Sequence, residues 1–427
     1  IWYTPGVAAP CKDISKNPEK VFEHTNRWNY VAVVSDGTRI LGLGNIGPEA
    51  GLPVMEGKAL LFKYLGGVDA FPLVLATTDP DEIIQALKWI EPTFGGINLE
   101  DIEKPKCFYI LEKAREELNI PVWHDDAQGT AAVTYGGLVG ALKVVGKKLR
   151  EVKIAMVGAG AANMTIYRVL KLAGANPRNI IMVDSKGILH PGRKDLEEKK
   201  GVDPYKWQVC LESNGEGVTG GIPEALKGAD VLIAASKPGP GTIKKEWIAQ
   251  MAPNAIAFVM ANPIPEIWPW EAKEAGVKVV GTGRSDFPNQ VNNSLGFPGI
   301  FRGVLDVRAT TITDEMCIAA GEALAQHAEE KGLSEDYVIP RMDEWEVFPK
   351  VAVAAAMQSI KQGVARLKLS RQELWDRAVS IIKNARESAR VLMEAGLIPP
   401  PPPCLLYTSD AADDGESVDL GGRRIIK

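Results

Sequence analysis

One stretch limits the possible folds more than any other. Val152-Lys-Ile-Ala-Met-Val157 is a short apolar run, and Gly158-Ala-Gly-Ala-Ala-Asn163 follows it. Residues 164–173 carry helical periodicity, and Asn179-Ile-Ile-Met-Val-Asp184 is apolar again up to a closing acid. Strand, glycine turn, helix, strand and acid in this order predict a βαβ unit that holds a dinucleotide at its turn. Gly158 and Gly160, with Ala159 between them, permit a tight turn. They also let a pyrophosphate approach the start of the helix at Ala161 and Ala162. Asn163 stands where a third glycine or alanine is usual. Asp184, about 20 residues on, fits an acceptor for the adenine-ribose 2′-hydroxyl of NAD. Ser185 and Lys186 beside it fit the 2′-phosphate of NADP, so the residues leave that choice open.

The following runs extend the same pattern. Ala229–Ala235, Ala255–Ala261 and Val277–Gly281 are almost wholly apolar, as parallel strands covered on both faces are. Each ends in small or polar residues, among them Ser236 and Asn262, which would line a cofactor crevice at the carboxyl edge of the sheet. Asn292 and Asn293 open the C-terminal part, either as ligand contacts or as turn residues. From Asp314 to about Glu394 the pattern is helical. The expected architecture is α/β: an N-terminal α/β domain, then a doubly wound parallel sheet with a helical C-terminal part. After the proline run that ends at Pro403, Cys404-Leu-Leu-Tyr-Thr-Ser-Asp looks like translated sequencing adapter. Residues 399–427 are therefore expected to be a non-native tail.

The N-terminal half is rich in acids at strand ends. Asn29–Val34, Thr38–Gly47, Ala70–Ala76 and Pro92–Ile102 read as strands, the last closing on Glu100-Asp101. Trp123-His-Asp-Asp-Ala-Gln-Gly129 places Asp125 and Asp126 where another strand meets an apolar helix. A helix N-cap would explain one Asp there but not two. A helix from Phe108 to Asn119 would set the two strand ends side by side, so that Glu100, Asp101, Asp125 and Asp126 could offer hard oxygen ligands to Mg²⁺ or Mn²⁺. With four His, no HExxH pattern and no Cys cluster, zinc is disfavoured. A helix after Pro53 carries Lys58 in an apolar neighbourhood, where desolvation would lower its pKa and make it a usable base. Arg39 could hold a carboxylate bidentately or form a surface ion pair. Tyr3, before a Thr-Pro-Gly turn, could donate a proton or simply pack.

Composition excludes other classes. A net charge of −5 without a basic block argues against nucleic acid, and no apolar run reaches membrane-spanning length. The five cysteines, at 11, 107, 210, 317 and 404, show no framework spacing and suit a reducing cytoplasm. The chain opens inside a motif and without Met, so a missing N-terminal segment is expected.

Taken in order, Tyr3-Thr-Pro-Gly-Val-Ala, Arg39-Ile-Leu-Gly-Leu-Gly-Asn-Ile-Gly, Pro53-Val-Met-Glu-Gly-Lys-Ala-Leu-Leu-Phe-Lys, Asn98-Leu-Glu-Asp-Ile and His124-Asp-Asp-Ala-Gln-Gly-Thr-Ala resemble the malic enzyme family, in its short bacterial and archaeal branch. Val183-Asp-Ser-Lys-Gly, Ala261-Asn-Pro and Asn292-Asn-Ser-Leu-Gly-Phe-Pro-Gly continue the likeness, which spans about residues 1–398. The resemblance implies metal-dependent oxidative decarboxylation of L-malate to pyruvate and CO₂ with reduction of NAD or NADP. It implies Tyr3 as general acid, Lys58 as general base and Asp125 as support for Lys58 or the metal. Glu100, Asp101 and Asp126 would be the Mg²⁺ or Mn²⁺ ligands, and Arg39, Asn262 and Asn293 the malate contacts. Gly158–Ala162 and Asp184 would hold the dinucleotide. Residues 1–126 are expected to form the substrate and metal domain and 127–398 the nucleotide domain, in a homodimer. Malolactic conversion to lactate and a non-catalytic dinucleotide-binding module are the competing readings.

Overall fold

The computed structural model describes residues 3–399. Cys404 and residues 400–427, nearly all of the stretch read as a foreign tail, lie outside the described residues.

Two parallel sheets organise the chain, as expected for the α/β class. The first has strands β1 (Tyr30–Ser35), β2 (Asp69–Val74), β3 (Gly96–Leu99) and β4 (Val122–His124) in the order β2-β1-β3-β4, all parallel. The second has β5 (Ile154–Val157), β6 (Ile180–Asp184), β7 (Gly187–Ile188), β8 (Val231–Ala234), β9 (Ile256–Val259) and β10 (Val279–Thr282) in the order β10-β9-β8-β5-β6-β7. Only β7 runs antiparallel. The apolar runs become strands because both faces of each sheet are covered: β3, β5, β8 and β9 are buried throughout.

In each sheet the chain leaves the first strand to one side and later returns on the other. The switch points lie between β1 and β3 and between β5 and β8. Ligands of open α/β sheets bind beyond the carboxyl ends of strands at such points.

Two local expectations fail. Thr38–Gly47 is not a strand. The amide of Ile40 bonds within its own segment to the Gly44 carbonyl, and Gly44 and Gly47 take positive φ, so the run folds back as a loop. The helix expected after Pro53 spans Pro48–Gly66, starting before it. Pro48 suits the first helical turn, and the buried stripe Gly51, Met55, Lys58, Phe62 and Leu65 holds the helix through Pro53.

The C-terminal helices Phe297–Asp306, Asp314–Lys331, Val347–Lys361 and Arg371–Glu394 follow, the last elements among the described residues. Every residue of Phe297–Asp306 is buried, and this helix joins the two halves. Arg302, fully buried, donates to Asn29 Oδ1 ahead of β1 at 2.5 Å and to Asp306 Oδ1 at 2.9 Å. A buried guanidinium paired in this way is costly to break and fixes the halves against each other.

Candidate active site

The first switch point gathers charge. β3 ends at Leu99, so Glu100 and Asp101 fall just beyond it, and β4 ends at His124, so Asp125 and Asp126 do the same next door. Residues Asp125–Gly129 form one π-helical turn before the helix Thr130–Val145. This turn folds the Asp125 carboxylate back over Gly129. A Cβ on Gly129 would lie 1.9 Å from Asp125 Oδ1 and 3.1 Å from Cβ of Asn293, so only glycine fits there.

Lys58 enters from the buried stripe of the Pro48–Gly66 helix and is 7% exposed. Its Nζ lies 2.5 Å from Asp125 Oδ2 and 3.0 Å from Glu100 Oε1, over the ring of Phe297 at 4.4 Å. Asp125 is fully buried and receives Trp123 Nε1 on its other oxygen at 3.0 Å. Glu100 also receives Asn98 Nδ2 at 2.9 Å.

Burial and these neighbours decide the protonation states. Burial pulls the Lys58 ammonium down, but the attraction of Asp125 and Glu100 outweighs it, and the net direction is up. The expectation that desolvation alone would lower Lys58 fails because two carboxylates compensate its charge. Burial pushes Asp125 up to about 6 and Glu100 up to about 7, against the pull of Lys58. Asp101 rises to about 9, from burial and then from the charges of Asp126 and Glu100. Burial takes His124 down to about 4, so its ring is neutral near pH 7.

No group of three or more His, Cys, Asp or Glu side chains closes around a common point among the described residues. Asp126 Oδ2 accepts the Asp101 amide at 2.7 Å, and Glu100 pairs with Lys58. The donor chemistry nonetheless fits a hard divalent cation. Glu100 and Asp101 are buried, Asp126 is half-buried, their charges repel, and Asp101 Oδ2 is buried without a hydrogen-bond partner.

Of the other candidates, Arg39 has an exposed side chain, while its amide donates to the Asp101 carbonyl at 2.9 Å. Asn293 is half-buried against Gly129, and Asn292 instead makes a turn, accepting from the Ser294 amide at 3.0 Å. Asn262 is exposed at the end of β9, and its carbonyl lies 2.9 Å from where a Cβ on Gly42 would sit. The loop after β1 thus touches the crest of the second sheet. Tyr3, unlike the buried residues of the cluster, is 82% exposed.

The second switch point offers backbone instead of charge. Gly158 takes φ +99, and a Cβ there would lie 2.4 Å from the Ala235 carbonyl oxygen, so a side chain is excluded twice over. The helix Ala161–Leu172 starts directly after Gly160, and its first N–H groups have no partner within the helix. Asn163, at the position of the missing third glycine, is buried and donates to the carbonyls of Val157 (2.9 Å) and Gly158 (2.8 Å). Its amide does the tightening that a small residue would permit.

Residues 1–115 match the family model described as the malic enzyme N-terminal domain, and residues 127–361 match the malic enzyme NAD binding domain. The chain belongs to the malic enzyme family. A bifunctional malic/malolactic enzyme of Bacillus subtilis is 52% identical over 88% of this chain and 89% of its own length. An NAD-dependent malic enzyme of Geobacillus stearothermophilus is 50% identical over 85% of this chain and 74% of its own. The crystal structure of Entamoeba histolytica malic enzyme superposes with a TM-score of 0.91 at 50% identity, covering 94% of this chain and 84% of that one.

For a malic enzyme, the nucleotide end holds a surprise at Asp184. Its carboxylate already receives four donors: the Lys186 amide (2.9 Å) and Arg193 Nη1 (3.1 Å) on Oδ1, and Lys206 Nζ (2.5 Å) and Arg193 Nη2 (3.3 Å) on Oδ2. A carboxylate offers about four lone-pair sites, so none is left for a ribose hydroxyl. Ser185 and Lys186 are exposed beside it. Arg193 and Lys206 gave no sign of this role in sequence, because the pairing depends on how the loop after β7 and the helix Pro204–Glu212 pack back onto β6.

Proposed function

We propose that this malic enzyme oxidatively decarboxylates L-malate to pyruvate and CO₂ while reducing a nicotinamide dinucleotide. The observation that carries it is a buried Lys58 held between Asp125 and Glu100 at one switch point, in the same chain as a glycine turn at the other. Lys58 first passes its own proton to Asp125, 2.5 Å away, and the neutral Nζ then takes the proton of the malate 2-hydroxyl as C2 gives hydride to the nicotinamide. Glu100, Asp101 and Asp126 would hold Mg²⁺ or Mn²⁺, which when bound supplies Lewis acidity toward the C2 oxygen. Arg39, Asn262 and Asn293 would face the malate carboxylates. Protonation of C3 after CO₂ leaves is given to Tyr3 by family resemblance alone.

Gly158, Ala159, Gly160, Ala161, Ala162 and Ser236 would hold the dinucleotide. The filled acceptors of Asp184, with Ser185, Lys186 and Lys206 around them, support NADP over NAD. Division of labour between residues 1–126 and 127–398 belongs to the same proposal. So does a cytoplasmic homodimer. The four described cysteines are free, which supports a reducing compartment, and no described helix is long and apolar enough to cross a membrane. The exposed Leu60, Tyr64 and Phe71, beside the edge strand β2, support a second copy of the chain as their cover.

The deciding assay follows reduced-nicotinamide absorbance with L-malate and Mn²⁺, NAD and NADP in parallel, with and without chelator. Chelator-sensitive reduction with pyruvate as product is the expected result. Lactate without net reduction would replace the reading with malolactic conversion. Binding of NADP without turnover would leave only a dinucleotide-binding module.

A further inference from the structure

Glu266 is the one charged residue in Ala261-Asn-Pro-Ile-Pro-Glu-Ile-Trp-Pro269, and its side chain is fully buried. Both of its oxygens meet donors. Oε1 accepts the Ser236 amide at 2.8 Å and the Ser236 hydroxyl at 3.1 Å, and Oε2 accepts the Ala261 amide at 3.2 Å. Its own carbonyl accepts the Ile243 amide at 3.1 Å. Ser236 lies just past the end of β8 and Ala261 just past the end of β9, neighbouring strands at the carboxyl edge. One carboxylate therefore ties together the two strand ends that carry Ser236 and Asn262.

A buried carboxylate whose neighbours are amides and a hydroxyl rather than a cation is expensive, so a packing role alone would be better served by an apolar residue. An amide of the same shape would not substitute. Its oxygen could serve one strand end, but its NH₂ would then face an N–H at the other. The geometry asks for two acceptors and no donor, and only a carboxylate provides that.

We propose that Glu266 is a positioning residue for the reaction. By fixing the spacing of the β8 and β9 ends it sets Ser236 against the nicotinamide end of the cofactor and Asn262 against the substrate. This inference rests on the function proposed above. It gives Glu266 no contact with substrate; the residue acts through the two strand ends.

The test compares wild type, Glu266→Gln and Glu266→Asp in the full chain. Melting temperature, KM for nucleotide and malate, kcat, and the Kd for NADPH by fluorescence titration are read for each. Glu266→Gln is expected to melt within about 3 °C of wild type. Its nucleotide KM and Kd should rise and its kcat fall, about tenfold each or more, because a strand end is released. Glu266→Asp keeps both acceptors on a shorter arm and should recover part of the loss. A purely structural residue would instead lower the melting temperature with KM and Kd unmoved, and that result overturns the proposal. Failure of both variants to fold overturns it too, as does wild-type behaviour in Glu266→Gln. If the wild type itself does not oxidise malate, the reaction reading fails. The NADPH titration, which needs no turnover, still decides whether Glu266 positions the crest.

Discussion

The two switch points are built alike and filled oppositely. Beyond β3 and β4 stand five ionisable side chains, Lys58, Glu100, Asp101, Asp125 and Asp126, all buried except the half-buried Asp126. Beyond β5 and β8 stand glycines, alanines, a serine and unpaired helix N–H groups. The same topology thus serves a centre that must move protons and hold hard ligands, and a cradle that must fit a phosphate chain closely. Charge in the first is kept in balance by pairing: Lys58 is compensated by two carboxylates, while burial, and then repulsion among the acids, raises the pKa values of Glu100 and Asp101. Shape in the second is kept by what is absent, namely a side chain at Gly158. The difference predicts that substitutions at one point harm chemistry and those at the other harm nucleotide affinity.

Lys58→Ala is the strongest challenge to that division. It removes the proton acceptor and leaves Asp125 and Glu100 buried without their cation. Loss of a positioned acid–base group costs about 10²–10⁴-fold in rate. We expect kcat to fall in that range while the Kd for NADPH stays within about twofold of wild type, an equivalence well inside 1 kcal/mol. Turnover close to wild type would remove Lys58 from the mechanism. A parallel collapse of nucleotide binding would mean that the two points are not separable.

Gly158→Ala tests the other half. The new Cβ meets the Ala235 carbonyl at 2.4 Å, and φ +99 is strained for any L side chain. Strain of about 1–3 kcal/mol is typical of such positions, which corresponds to about 5- to 150-fold in affinity. Titration with NADPH should show that loss, while KM for malate at saturating nucleotide stays near wild type. An unchanged nucleotide Kd would show that the β5 turn does not carry the pyrophosphate.

What could be read in advance divides along the same line. Apolar runs bounded by turns marked the approximate places of nine of the ten described strands, and acid pairs at run ends pointed to the first switch point, because strand periodicity and strand ends are local properties. The glycine turn was legible for the same reason. Thr38–Gly47 misled because its alternation looks strand-like while its glycines favour positive φ. Pro53 misled because the buried stripe around Lys58, a tertiary effect, carries the helix past it. Lys58 itself was found, but the sign of its shift was not, since that depends on two carboxylates brought from β3 and β4. Arg193, Lys206 and Glu266 were missed for one shared reason: each acts on a residue set beside it only by folding. A lone acid within an apolar run was the single available hint, and it belonged to Glu266.

Asp184 is where the comparison bends, because it brings a cluster of several charges to a crest where Glu266 is a lone buried carboxylate. Lys186, Arg193 and Lys206 face Asp184 and Asp195 there, three cations against two anions. Lys206→Ala frees one lone pair on Asp184 Oδ2, which an adenine-ribose hydroxyl could then use. It also removes a cation with donors left to offer a 2′-phosphate. Both changes push the same way. The ratio of kcat/KM for NADP to that for NAD should fall by about tenfold, or about 1.4 kcal/mol. KM for malate should not move, since the first switch point is untouched. If the ratio holds steady, the Lys206–Asp184 pair only braces the Pro204–Glu212 helix against β6. The charge at the end of β6 would then be structural only.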